Sequence, residues 1–285
     1  MIFLAIVSLI WAFSFGLVKR LGGLDPTAIG AVRLAISLVV FTPFLRPAGL
    51  GAGNMARLAL IGAVQFGAVY ILYLRAYAHL HAYEIALFTI TTPIFVALVD
   101  AFLERRWKTQ FLAAALLSVA GAGVVLWKSI GDTGVVGGFV LMQLSNVCFA
   151  CGQIAWRRER ARLPPGSSDA SVFAVTFAGA LALTLAVSLA TTNWHAFAPS
   201  RGQWIIIAYL GAVASGLGFF LWNVGATRVN AGVLAAFNNA KIPLGIACSL
   251  LFFGETTDIG RLLAGGALMA LGVWTARARA GGAVS

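Results

Sequence analysis

Apolar residues run along this chain in long, nearly unbroken stretches near residues 2–18, 27–45, 58–79, 83–103, 110–127, 134–156, 170–190, 203–226, 231–253 and 259–276. A bilayer core of about 30 Å needs roughly 20 apolar residues per helix. Each stretch therefore predicts one transmembrane helix, ten in all. The runs do not alternate polar and apolar residues as the short strands of a membrane barrel do, so the class is all-α. Two regions are versions of one text: residues 62–88 and 211–237 align without a gap, sharing Gly62/Gly211, Ala63/Ala212, Val64/Val213, Gly67/Gly216, Leu72/Leu221, Ala86/Ala235 and Phe88/Phe237. Each then passes through polar residues to a proline, FTITTP ending at Pro93 and FNNAKIP ending at Pro243. The chain reads as one transmembrane domain, 1–285, made of a five-helix repeat at 1–130 and a second at 131–285, joined by the turn KSIGDTG at 128–134. An odd number of helices per repeat makes the second copy enter the membrane from the opposite side. Inverted repeats with Pro-interrupted segments at matching positions are the pattern of alternating-access transporters, with Pro93 and Pro243 as hinges.

Composition fits that environment. The chain is 60% hydrophobic and 10% charged, with a mean hydropathy of +0.92, whereas soluble domains carry about 25% charged residues. The net charge of +11 suggests nucleic acid only until the positions are considered. With both termini cytoplasmic, the inner loops hold Arg46, Arg57, Arg105, Arg106, Lys108, Arg157, Arg158, Arg160, Arg162, Arg228, Arg277 and Arg279. The outer loops hold Lys19, Arg20, Lys128, Arg201 and Arg261. That asymmetry is the positive-inside pattern of a multi-pass protein, and nucleic acid is not the expected partner. The run RRERAR, Arg157 to Arg162, reads as a topogenic inner loop. Met1 leads into an apolar run with no basic leader, so the first helix is expected to be retained. Cys148 and Cys151 form a C-x-x-C inside an apolar helix and, like Cys248, read as packing residues.

Polar residues at membrane depth carry the functional signal, because each costs free energy unless it is paired or faces water. Lys241 leads: about ten residues at 1.5 Å rise place it roughly 15 Å into its helix. Asn238 and Asn239 lie within a turn of it, and Pro243 removes a backbone donor, freeing carbonyls that need other partners or a water-filled cavity. The repeat reaches this proline one residue later than Pro93, an offset that a π-bulge would absorb. Gln143, Asn146, Ala150 and Gln153 share a stripe that either lines a cavity or bonds helices together. Gln65, Val69, Leu72 and Ala76 share a face next to Tyr73, and the repeat equivalent brings Phe219, Trp222 and Asn223. Rings beside amides suit a small amphipathic solute. Glu84 opens its helix with His79 and His81 nearby, a candidate proton-sensitive outer gate, and Arg33 is a candidate partner for Glu84.

The segments IWAFSFGLVKR, LFTITTPIFVALVDAFLER ending in the Glu104–Arg105 pair, and AAFNNAKIPLGIACSLLFFGET containing Glu255 resemble the paired ten-helix domains of the drug/metabolite transporter superfamily. Within it the chain is most similar to EamA-type permeases, and among these to bacterial aromatic amino acid exporters. The resemblance implies a bacterial inner-membrane permease exporting amino acids, aromatic and other neutral ones, by alternating access around a central cavity. Trp11, Gln65, Tyr73, Gln143, Asn146, Trp222, Asn223, Asn238, Asn239 and Lys241 are the expected lining, with Lys241 meeting the carboxylate. A drug or nucleotide-sugar transporter of the same superfamily is the alternative. No phosphate loop, metal-ligand cluster or ATPase motif stands out, so no cofactor and no enzymatic chemistry are expected.

Overall fold

In the computed structural model the described residues are 1–46, 50–105, 110–127, 131–164, 166–229 and 231–278, and among them no strand occurs. The helices are α1 (Ile2–Lys19), α2 (Pro26–Phe41), α3 (Ala52–Gly62), α4 (Val69–Ala76), α5 (Ala82–Phe88), α6 (Thr92–Leu103), α7 (Gln110–Val125), α8 (Thr133–Arg160), α9 (Asp169–Thr191), α10 (Arg201–Tyr209), α11 (Gly218–Ala226), α12 (Ala231–Phe252) and α13 (Ile259–Ala278). A π-helical segment, Ala63–Ala68, joins α3 to α4, and a second, Leu210–Leu217, joins α10 to α11. A 3-10 turn, Thr89–Thr91, separates α5 from α6.

Among the described residues, seven segments are long and apolar enough to cross a membrane: Ile2–Lys19, Pro26–Phe44, Ala52–Ala76, Ala82–Leu103, Thr133–Arg160, Asp169–Thr191 and Arg201–Ala226. Ala113–Val125 and Ile259–Thr275 are shorter apolar helices.

Local chemistry sets the helix ends. Asp25 accepts from the Ala28 N–H at 2.8 Å with Pro26 as the first helical residue, so α2 starts where its missing amide costs nothing. Asp132 starts α8 in the same way. After α12 the chain turns at Gly254 with φ +67°, just before Glu255, whereas after α6 the left-handed residue is Arg105, just past Glu104.

Small residues let the helices approach closely. A Cβ on Gly62 would sit 1.8 Å from the Thr176 carbonyl oxygen, and one on Gly121 would sit 2.6 Å from that of Gly265. These contacts join α3 to α9 and α7 to α13 at backbone distance. In lipid, where apolar burial contributes little to helix association, such approach is a main source of attraction.

Polar seams cross between the sequence halves. Gln65 donates to Asn223 at 3.0 Å, Ser37 to the Gly211 carbonyl at 2.8 Å, and Trp11 to the Ala214 carbonyl at 2.9 Å. Charged contacts cluster at the two ends of the bundle. Arg57–Glu159 (2.8 Å) and Arg160–Asp169 (2.6 Å) lie at one end, while Lys19 with the Leu80 carbonyl (3.2 Å) and His81 with Glu255 (3.5 Å) lie at the other.

Several expectations need correction. The third span begins at Ala52, not 58, and α8 continues to Arg160. Arg157, Arg158 and Arg160 thus occupy the last helical turn, where cations offset the dipole, and not a loop. The π-segments fall at Ala63–Ala68 and Leu210–Leu217, elsewhere in the sequence than Pro243, which sits inside an α-helix running through Phe252. Of the basic residues counted above, Arg106, Lys108, Lys128 and Arg279 fall outside the described residues.

Candidate functional site

A cavity with a mostly apolar wall and a few polar groups lies where α1, α2, α4, α8 and α12 meet the break between α5 and α6. Its water-sized interior is about 90 Å³, within about 600 Å³ of space between its atoms that is partly open to solvent, so a ligand larger than a few waters enters only if the helices part. Its wall combines rings (Trp11, Phe15, Tyr70, Tyr73, Phe149, Phe219), small hydroxyls (Ser14, Thr89, Thr92, Ser145), Asn146, and two cations, Arg33 and Lys241.

Lys241 is 6% exposed and comes from mid-α12. Its ammonium donates to Asn238 Oδ1 at 3.2 Å and lies 4.9 Å from the Trp11 ring, 5.6 Å from Trp222 and 6.0 Å from Phe149. Ring quadrupoles attract a cation most where water is excluded, so the three rings favour the charged form that burial opposes.

Arg33, in α2, is 3% exposed. Its Nε donates to Ser215 Oγ at 3.2 Å, and Nη2 donates to the Tyr70 hydroxyl at 2.7 Å with the guanidinium 4.5 Å over that ring. Ser215 in turn donates to the Leu210 carbonyl at 2.6 Å, five residues back across the wide π-turn. The π-segment thus has a local role: its loosened carbonyls receive Ser215, Ser37 and Trp11. Arg33 Nη1 has no partner among the described residues.

The break between α5 and α6 also faces the cavity. Pro93 near the start of α6 and the 3-10 turn before it disturb the helical ladder. Asn146 Nδ2 then donates to the Phe88 carbonyl at 2.9 Å and to Thr91 Oγ1 at 3.0 Å, and the Thr91 hydroxyl reaches Gln143 Oε1 at 2.7 Å.

Of the expected lining, Trp11, Tyr73, Asn146 and Lys241 face this cavity. Trp222 stands behind Trp11, and Asn238 holds Lys241. Gln65 donates to Asn223 and Gln143 accepts from Thr91, so these amides join helices away from the cavity lining, although Gln65 Oε1 and Gln143 Nε2 stay buried without a partner among the described residues. Asn239 lies off the cavity wall with Oδ1 buried and unpartnered. Gln153 pairs loosely with the Trp222 indole at 3.4 Å. The pairing of Arg33 with Glu84 is also corrected: Glu84 accepts from the His81 N–H at 2.8 Å at the far end of the bundle. Arg33, Tyr70 and the hydroxyl residues were not assigned to the lining from sequence. Tyr70 lies one turn before Tyr73, which was the available signal.

At the end of the bundle near His81, Glu255 accepts from the N–H groups of Ala82 (2.9 Å) and Tyr83 (3.1 Å), approaches His81 Nδ1 at 3.5 Å, and takes the Ser249 hydroxyl. It therefore clamps the loop after α12 onto the start of α5. The bond to Glu255 raises the His81 pKa, helped by nearby Glu84 and opposed by partial burial and Lys19. Burial opposes ionisation of Glu255, but His81, Ser249 and the two amides outweigh it and hold the pKa at about 2. The His81 contribution is complete below the ordinary imidazole value of about 6.5 and is lost as pH rises through the raised one; that of Glu255 is lost only as pH falls toward its own. Thermal unfolding of wild type and His81→Ala should therefore differ most near pH 5.5 and converge by about pH 9. A difference independent of pH would show that the pair does not titrate as a clamp.

The sequence model of the EamA-like transporter family matches residues 1–127 and 136–277. A probable biotin transporter of Pseudomonas aeruginosa is 35% identical over 277 residues, covering 96% of each chain. The biotin transporters of Salmonella typhimurium and Escherichia coli K12 are 34% and 33% identical over 280 residues, 97% of this chain and 93% of theirs. One solved crystal structure matches with a TM-score of 0.65 over 96% of both chains at 21% identity, a likeness of fold alone.

Proposed function

Because this chain belongs to the EamA-like transporter family and is a multi-pass membrane transporter of small molecules, we propose that the central cavity carries biotin. The observation that carries the reading is the pairing of two buried cations, Arg33 and Lys241, with aromatic walls and no acidic residue among the described lining. Biotin presents one carboxylate, an aliphatic tail and a neutral fused ring system. The cations match the first and the rings match the rest. The amino acids expected from sequence resemblance fit less well. A zwitterion would bring an ammonium beside two fixed cations, and like charges 4 Å apart repel by about 4 kcal/mol at an effective dielectric constant of 20. The relatives named as biotin transporters support the same choice.

The architecture we propose has ten crossings in two inverted five-helix halves, with both termini cytoplasmic. Three observations support it. The family match falls into two parts. The π-segment at Ala63–Ala68 has its counterpart at the repeat-equivalent place in Leu210–Leu217. The end bearing Arg57, Arg158, Arg160 and Arg228 is the more basic. Pro93 and Pro243 serve as hinges in this scheme.

The test is counterflow of labelled solute into liposomes holding the purified protein, preloaded with biotin, phenylalanine or a nucleotide sugar. Biotin-loaded vesicles are expected to accumulate labelled biotin. Accumulation of phenylalanine with none of biotin would overturn the reading and restore the amino acid one.

A further inference from the structure

Two cations face one cavity, and the sequence singles out Lys241 as the carboxylate partner. The hydrogen-bond pattern divides them differently. The Lys241 ammonium spends one of its three N–H donors on Asn238 Oδ1 at 3.2 Å and faces three rings within 6.0 Å, which hold its head on the aromatic side of the cavity. Arg33, which also lines the cavity, is held on two of its three nitrogens by Ser215 and Tyr70, and its third, Nη1, is buried without a partner among the described residues. The protons around it are fully assigned. Tyr70 accepts from Arg33 and donates to Ser215 at 2.7 Å, and Ser215 donates onward to Leu210. Neither hydroxyl can turn away to release the guanidinium without breaking a second bond.

We infer that Arg33, not Lys241, makes the direct hydrogen bond to the substrate carboxylate and so decides that an acid is carried in preference to its amide or ester. A buried guanidinium with an unmet donor carries a desolvation cost that an incoming carboxylate relieves, and a charge-assisted bond of this kind is stronger than a neutral one. A neutral amide leaves the charge uncompensated. Lys241 adds positive potential and closes the aromatic side of the cavity, which favours every occupant with a ring face. The network also ties recognition to the π-segment: Ser215 points at Arg33 because the turn from Leu210 to Ser215 is one residue wider than an α-turn.

This inference rests on the cavity being the substrate site, and the experiment separates the two. Binding of biotin and of biotinamide is measured by calorimetry on the purified protein in detergent, with phenylalanine and phenylalaninamide as a second acid–amide pair. Wild type should prefer the acid by roughly 10- to 150-fold, the strength of one charge-assisted bond. Arg33→Gln should bring that ratio close to one, and Lys241→Met should weaken both ligands while keeping most of the ratio. Tyr70→Phe and Ser215→Ala, which leave the charge in place and free the guanidinium to move, should give intermediate ratios and serve if Arg33→Gln is not recovered folded. Retention of the wild-type ratio in Arg33→Gln, or its collapse in Lys241→Met but not in the Arg33 network variants, overturns the assignment. If wild type binds neither acid, the substrate reading and the assignment fall together; if it binds only the phenylalanine pair, biotin falls and the Arg33 ratio still decides.

Discussion

Valine in place of Gly179 is expected to abolish recovery of folded protein. A Cβ there would lie 2.0 Å from the Ala59 carbonyl oxygen, and the reciprocal contact puts one on Gly62 at 1.8 Å from that of Thr176. The obstacles are backbone atoms, so no rotamer change relieves them, and α3 must move away from α9. Helix association in a bilayer depends on close packing, so separating the two loses contacts that nothing else replaces. The cost should exceed the ~4 kcal/mol that marks an exceptional substitution. Size-exclusion of a fluorescent fusion in detergent reads it directly. Gly202→Val, on a helix start with no atom near its Cβ, is the control that should elute normally. A monodisperse peak for Gly179→Val would mean that the α3–α9 contact does not hold the bundle together.

Alanine in place of Trp11 should bring the largest loss of transport among variants that still fold. The indole ties α1 to the π-segment through the Ala214 carbonyl and packs against Phe219 at 5.6 Å and Trp222 at 5.2 Å between centroids. It also carries the shortest cation–ring contact of Lys241. A desolvated cation–π contact is worth about 2 kcal/mol, so counterflow should fall by more than ~10-fold. Trp11→Phe keeps the face and drops the N–H, and should retain more activity than Trp11→Ala. Wild-type counterflow in Trp11→Ala would remove the aromatic cage from the account.

The amino-acid sequence by itself determined the all-α membrane class and the approximate place of the long apolar helices. Bilayer thickness acts on run length, which one sequence displays, and a lysine in mid-helix is costly wherever its helix lies. Lys241, Trp11, Tyr73 and Asn146 were therefore legible as cavity residues. Helical periodicity tells which side of its own helix a residue takes, but not which neighbour waits there. Gln65 and Gln143 carry the same signal as Asn146, yet the first meets Asn223 and the second meets Thr91, and both become bonds between helices. The π-segments left no mark in the text, because a wide turn is stabilised by what receives its freed carbonyls, here Trp11, Ser37 and Ser215, drawn from distant parts of the chain. Arg33 shows the same division. Its depth could be counted along α2, but only the packing of α2 against α4 and the second π-segment decided that it meets Tyr70 and Ser215, keeps one donor free, and leaves Glu84 to cap another helix. Such pairings arise between residues far apart in sequence, and their free energy exists only once the helices are assembled.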